Sequence, residues 1–366
     1  MNRTELPDDP LVHLLRTDDR VAEVDALADL LAGLGGGRVG LRGLLGDLGR
    51  RARAVRVPAP AAVRGFRPDR EDVASEQWWP QGITTSADAG DPDELAGREV
   101  VVNSAYAHDV GGVGHGARLT FTDVSDPASL RYAHVLLVEP FFHPDGALDL
   151  RPVPLHAGGI VWHGGHVHVA GTQRGLSSFR LDDVLRVPAG DAGRIGVRSG
   201  RVDTFGYRYV LPVRFTYDAG HREGGHPLRY SFCSLDRSTT PHQLVAGEYG
   251  RDPMTTRLVR YPLDPGTDLL HTVGGRAVPL ELEEGVFGMQ GAAVVDGRWY
   301  VTTSRGRFRL GSLWTGRPGD LKEHRWQLPV GPEDITYWPR YDELWSLSEY
   351  PWARYVYAMP RRRFDA

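Results

Sequence analysis

Four carboxylates occupy recurring places in the chain. Glu333 and Asp334 stand just before one apolar run, and Glu248 and Glu349 stand just after two others. Carboxylates gathered at one place push their pKa values apart, which separates an acid from a base. Glu333 is the foremost candidate for such work. Glu248 and Glu349 have a structural alternative, pairing with Arg251, Arg305 or Arg354. His156 precedes another apolar run and is suited to act as a general base or proton shuttle. Glutamine fills the matching places at Gln81 and Gln290. Its amide can orient a ligand but cannot act as acid or nucleophile. Glu349, Tyr106, Tyr249 and Arg305 complete the set as substrate-binding groups, so the expected catalytic pair is Glu333 and His156. The expected chemistry is hydrolysis, cyclisation or isomerisation of a small molecule, with no metal and no cofactor.

Other chemistry-bearing residues read as structural. The run Trp162-His-Gly-Gly-His-Val-His places His166 and His168 on one strand face, with His163 across a two-glycine turn. That spacing suits a hairpin better than a metal site. Gly111-Gly-Val-Gly-His-Gly116 is glycine-rich, but no helix pattern follows it, so it reads as a rim loop and not a phosphate cradle. The single cysteine, Cys233, excludes an internal disulfide and cysteine-built metal sites, and it reads as a small core residue. Lys322 is the one lysine, which nearly removes Schiff-base chemistry. Trp78 and Trp79 could stack on a flat ligand or plug the core.

The elements that must position these groups are strands. From about Gln77 onward, short runs of Val, Leu, Tyr, Phe and Trp alternate with Gly, Pro and Asp. They repeat. A Gly or Asp followed by an apolar strand occurs at Gln81-Gly82-Ile83, Gly158-Gly159-Ile160, Gln290-Gly291-Ala292 and Glu333-Asp334-Ile335. A second strand ends at Ser104-Ala105-Tyr106, Gly171-Thr172-Gln173, Gly247-Glu248-Tyr249, Thr303-Ser304-Arg305 and Ser348-Glu349-Tyr350. Third and fourth strands follow each, except that the last copy runs out of chain after its third. A segment over residues 52–58 is expected to supply the missing strand beside residues 355–359. Such closure hides the free edges of a ring of sheets. The expected fold is therefore all-β, a propeller of five blades, with six as the alternative if one degenerate copy is counted.

The segments Trp79-Pro-Gln-Gly-Ile-Thr-Thr, His156-Ala-Gly-Gly-Ile, Met289-Gln-Gly-Ala, Gly331-Pro-Glu-Asp and Leu344-Trp-Ser-Leu-Ser-Glu-Tyr resemble a group of actinobacterial β-propeller proteins. The resemblance runs from about Trp78 to the C-terminus. It implies the propeller fold and carries no settled activity, since these proteins are mostly uncharacterised. They are often secreted. This chain opens without the apolar core of a secretion signal, so a cytoplasmic place is expected, and with it a role in specialised metabolism.

In a propeller, the start of each first strand and the end of each second strand lie on one face of the disc. That phase brings the carboxylates, His156 and the glutamines to one channel mouth. Residues 1–50 are expected to form a helical extension on residues 51–366. Leu11, Leu14, Leu15, Val21, Val24, Leu27, Leu30, Leu31 and Leu34 recur at helical spacing there, as a lid or a homodimer stripe. Nine arginines against two acids between Arg38 and Arg70 could suit nucleic acid, but the stretch has a single aromatic, Phe66, and the whole chain carries a net charge of −4. No apolar run approaches the ~18 residues of a membrane span. No nucleic-acid or membrane partner is expected. The competing reading is a noncatalytic binding or scaffold propeller, because fold does not fix function.

Overall fold

The computed structural model of the protein describes residues 11–89, 95, 97–109 and 112–365. Gly111 and parts of the loops around residues 90–97 and 108–116 lie outside the described residues, as do residues 1–10.

Strands follow one another as antiparallel meanders. The first sheet is Trp78–Thr85, Val100–Ala107, Ala117–Asp123 and Arg131–Phe142. The second is Ile160–His163, His166–Ala170, Gly175–Arg180 and Tyr209–His221. The third is Phe232–Asp236, Gln243–Gly247, Arg257–Pro262 and Leu282–Glu284. The fourth is Met289–Val295, Arg298–Thr303, Leu310–Arg317 and Asp320–Val330. The fifth starts with Pro332–Trp338, Glu343–Ser348 and Val356–Pro360. Its next strand is Arg64–Arg67, from near the other end of the chain. The first strands of successive sheets pack side by side, and that of the fifth returns to that of the first. This closed ring of inner strands is the arrangement of a β-propeller.

The ring is tight enough to demand glycine. A Cβ on Gly159 would lie 2.0 Å from the backbone nitrogen of Cys233, and one on Gly291 would lie 2.5 Å from Cα of Asp334. The Gly before three of the inner runs, at Gly82, Gly159 and Gly291, is thus a consequence of backbone approaching backbone around the axis.

Three local expectations are corrected. The strand that closes the ring is Arg64–Arg67, with Phe66 opposite Val356, and not residues 52–58. Only Arg53–Ala54 of that segment is paired, one strand further out. Pro58 and Pro60 lack the N–H a ladder needs, so the chain turns there and Phe66 enters the core. In the third sheet the run of residues 277–283, which by composition (Leu, Val and Pro) reads as that copy's fourth strand, does not form one strand, because Pro279 interrupts it. Arg276–Ala277 pairs instead with Val12–Arg16. That N-terminal segment is itself a strand and not the start of a helix. It occupies the edge of Tyr209–His221, pairing Leu14 with Ala219, and buries Val12 and Leu14.

The helix proper is Val21–Gly33. Its Leu27, Ala28 and Leu31 pack on Leu136, Val138 and Val210. Those residues sit where the outer strands of the first two sheets run parallel, with Val210 beside Leu136. A parallel pair must be covered on both faces, and the helix supplies one cover. A second short helix, Gly40–Leu45, buries Leu41, Leu44 and Leu45. No helix among the described residues is long and apolar enough to cross a membrane.

Candidate active site at the channel mouth

Three inner strands carry a register irregularity at their first residues: between Pro80 and Ile83, between Met289 and Gly291, and between Pro332 and Ile335. Bulges re-aim side chains. Here they fall on Gln81, on Gln290 and on Glu333 with Asp334, turning successive residues away from strict alternation.

Glu333 is buried at 3% exposure. Its Oε1 accepts a hydrogen bond of 3.0 Å from Gln290 Nε2. Its carboxyl also hydrogen-bonds that of Glu349, which is half-buried at the end of the second strand of the same sheet. Gln81 Nε2 donates to Glu349 Oε2 at 3.3 Å, and Tyr350 hydrogen-bonds the same carboxyl. Main-chain bonds hold Glu349 in place: its N–H donates to Gly331 O at 3.1 Å, and its carbonyl accepts from Arg354 Nε at 2.8 Å. Burial, then the neighbouring Glu349 and Asp334, drives the Glu333 carboxyl well above the ordinary glutamate range. Burial also raises Glu349. Two carboxyls so placed cannot both ionise readily, and they titrate as a pair sharing a proton.

Asp334 does different work. It is fully buried, and its carboxylate accepts backbone N–H bonds from Ile83, at 3.2 Å, and from Ile160 and Ile335. It therefore ties the inner strands of the first, second and fifth sheets at the axis. Burial pushes its carboxyl up, against the pull of those three N–H groups.

An aromatic wall stands beside the pair. Tyr106 stacks on His156, with ring centroids 4.3 Å apart, and its hydroxyl meets His108 Nε2 at 2.8 Å. Trp79 stacks on His108 at 4.8 Å and meets Tyr350 edge-on at 6.0 Å. Arg307 lies over the Tyr350 ring at 5.5 Å. Burial and the charges of Glu349 and Glu333 push Tyr106 up to about 12. Burial and Glu349 also push Tyr350 up to about 12. Both phenols stay protonated and can donate. His156 is open to solvent at the mouth, yet the surrounding walls, and then His108, hold its pKa below the usual histidine value. It is neutral near pH 7 and able to accept a proton.

The structure thus brings together Glu333, Glu349, Gln81 and Gln290, with Tyr106 linking His156 to the group. Arg305 and Tyr249 are held elsewhere. Arg305 donates to Ser312 Oγ at 3.2 Å and pairs with Glu323, both on the outer strands of its own sheet. Arg251 holds Tyr249 through its hydroxyl and over its ring. Glu248 is a structural residue with partners other than those expected: Arg257 forks onto both its oxygens, and the N–H groups of Arg229 and Arg257 complete the set. Of the wall, the sequence offered Trp79 as a stacking residue but not His108, whose signal is its place two residues after Tyr106 at the end of Val100–Ala107.

Of the histidines in the second sheet, His163 and His168 have hydrogen-bond partners, whereas His166 stacks on His168 and its Nδ1, like His168 Nε2, is buried without one. His163 meets the Asp268 carbonyl at 3.0 Å and His242 at 3.2 Å, and His168 meets Ser178 Oγ at 2.8 Å. Among the described residues no three His, Cys, Asp or Glu side chains are grouped to hold a metal. Cys233 is buried in the core.

No protein-family model matches the chain, and no curated protein matches it at a significant level. Solved structures with a similar course include a gluconolactonase from Xanthomonas campestris, at 12% identity and a TM-score of 0.35 over 85% of this chain and 84% of that one. A glutaminyl cyclase from Myxococcus xanthus is similar at 11% identity and 0.33, over 84% and 96%. A β-propeller domain from Myceliophteria thermophila is similar at 8% identity and 0.38, over 82% and 99%. At such scores these likenesses say nothing of this chain's chemistry.

Proposed function

We propose that the five sheets are the blades of a five-bladed propeller whose mouth is the active site of a small-molecule enzyme working by acid–base chemistry. The observation that carries this reading is the hydrogen-bonded carboxyl pair of Glu333 and Glu349, flanked by two glutamine amides. Glu349 is the outer member and touches the substrate. Glu333, behind it, holds the shared proton and returns it. Gln290 and Gln81 fix the two carboxyls in orientation. Tyr106 and Tyr350 donate hydrogen bonds to a developing oxyanion, and neutral His156 takes or supplies the second proton at its ring nitrogen. One acid and one base at a shielded mouth suffice for hydrolysis, cyclisation or isomerisation.

The alternative is a mouth that binds a ligand without turning it over. The closure of Glu333 behind Glu349, at 3% exposure, favours it. One experiment separates the two. Purified protein is screened against a panel of lactones, glycosides and amides, and any turnover is repeated with Glu333→Gln, which keeps the shape and loses the proton. An enzyme loses ~10²–10⁴ in rate. A binding protein shows no turnover in either form.

A further inference from the structure

A second cleft, of about 520 Å³, borders the first sheet, and none of the groups assigned to the mouth lines it. That volume falls in the range of small-molecule sites. Its walls come from helix Arg70–Ala74, from the outer strands of the first sheet and from the segment after the hairpin of Ile195–Arg198 and Arg201–Thr204. Its buried groups fix one another. Asp72 Oδ1 accepts from Arg118 Nη2 at 2.7 Å, and its Oδ2 accepts from the Tyr132 hydroxyl at 2.5 Å and meets His134 Nε2 at 2.9 Å. Trp78 covers the Arg118 guanidinium at 4.5 Å, and Arg118 Nη1 donates to the Tyr207 hydroxyl at 3.1 Å. Tyr207 accepts that bond and keeps its own O–H to donate.

The charges of the cleft cancel. Arg118 pairs with Asp72, Arg50 with Glu71 at 2.8 Å, and Arg208 with Asp47 at 2.5 Å. Among their neighbours, Asp69 adds a carboxylate, on Arg50, and Arg354 a guanidinium, on the Asp72 carbonyl. Burial, then Arg118, hold His134 down to about 4, so it is neutral near pH 7. An ion entering here must break an existing pair. A hydroxyl need not, because it donates to a carboxylate and accepts from a guanidinium at once. Arg50–Glu71 and Arg208–Asp47, both reached by solvent, present such donors and acceptors side by side.

The same cleft holds an apolar surface at a strained position. Phe205 has a φ of +53°, followed by Gly206 at +76°. A bulky ring in the left-handed region is unusual, and strain of this kind is often retained at ligand clamps. Here the turn sets Phe205, half-buried, against His115, with ring centroids 4.3 Å apart. The negative face of an aromatic ring attracts the C–H groups of a sugar. We propose that this cleft binds a neutral mono- or disaccharide, with its C–H face on Phe205 and its hydroxyls on the Arg50–Glu71 and Arg208–Asp47 pairs. This does not depend on the mouth being an active site.

The test uses the full chain. Saturation-transfer NMR reads binding of glucose, galactose, xylose, maltose and cellobiose, with glucuronate and glucosamine as charged counterparts and adenine as a flat uncharged heterocycle. At least one neutral sugar should bind, about tenfold more tightly than the charged counterparts and adenine, and without dependence on ionic strength. Phe205→Gly removes the ring and takes the same φ without strain, so it should weaken that sugar by about tenfold while Tm holds. Glu71→Ala, at an exposed carboxylate, should weaken it too. Glu349→Gln, at the mouth, should leave it unchanged. A panel in which no neutral sugar binds overturns the proposal. So do charged sugars or adenine bound as tightly as neutral ones, and so does a sugar lost in Glu349→Gln, which places it at the mouth. Affinity kept in Phe205→Gly overturns it as well, and if that variant does not fold, Glu71→Ala decides in its place.

Discussion

Replacing Glu248 by Gln removes one charge and one acceptor oxygen from a fully enclosed site. In the native chain Glu248 is 0% exposed. Its Oε1 accepts from Arg229 N at 3.0 Å and Arg257 Nη2 at 2.8 Å, and its Oε2 from Arg257 N and Nε, each at 3.0 Å. Glutamine satisfies one half of this set and turns an NH₂ group toward the other. Although burial opposes ionisation, Arg257 and the N–H groups outweigh it and hold the carboxyl at about 2, against an ordinary 4.5. That difference is worth roughly 3 kcal/mol at neutral pH. For a chain of this length it corresponds to a fall in Tm of roughly 4 °C. The folded pKa lies below the unfolded one, so this stability is fully present above pH 4.5 and is lost as pH falls through about 2. Urea unfolding of both proteins from neutral pH downward should show a gap of ~3 kcal/mol that narrows below pH 4.5. Any turnover should survive the substitution. A variant as stable as the native chain at pH 7, or a gap that ignores pH, would refute the assignment of Glu248 to structure.

The mouth pair has the opposite sign. Glu333 is raised in the folded chain, so its contribution is present below the unfolded value of 4.5 and is lost as pH rises through the folded pKa. In Glu333→Gln the alkaline decline in stability should therefore flatten, as read by denaturation at several pH values. His156→Ala should remove one limb of the pH–rate profile of any reaction found, with little change in Tm, because the ring is open to solvent. Gly159→Ala forces a Cβ to 2.0 Å from Cys233 N and should cost about 3 kcal/mol or more, measured by urea midpoint. Elemental analysis of protein purified without chelator should show no stoichiometric transition metal, and one zinc or iron per chain would overturn the reading of the histidines after Trp162.

Much of the fold was legible because the ring imposes itself on the sequence. Gly82, Gly159 and Gly291 mark where inner strands touch, and Asp334 replaces glycine at the one copy whose side chain ties the others. The phase of those residues also gave the face on which the chemistry could gather. What it could not give was side-chain direction. Arg305 and Tyr249 end their strands on the right side of the disc, but Glu323 and Arg251 capture them. The phase pairs Glu333 with a histidine of a different sheet, whereas a bulge turns it toward Glu349 of its own sheet. The i, i+3, i+4 spacing of Leu11, Leu14 and Leu15 reads as a helix, but the pair that is buried is Val12 and Leu14, which alternate as a strand does, while Leu11 and Leu15 are exposed. The free edge of Tyr209–His221 settled the matter, a tertiary contact that overrides local propensity. Pro58 and Pro60 decide the closing strand: without their N–H groups residues 52–58 cannot run beside Val356–Pro360, and the place passes to Arg64–Arg67.

The protonation state of the mouth pair tests the account most directly. Infrared difference spectra of the chain carrying ¹³C-labelled glutamate can follow the carboxylic acid C=O stretch through a pH titration. A protonated glutamate should persist at neutral pH, well above the range where ordinary glutamates ionise, and the signal should vanish in Glu333→Gln and shift in Glu349→Gln. Complete ionisation of every glutamate at neutral pH, or a protonated signal indifferent to both substitutions, would contradict the shared proton on which the proposed chemistry stands.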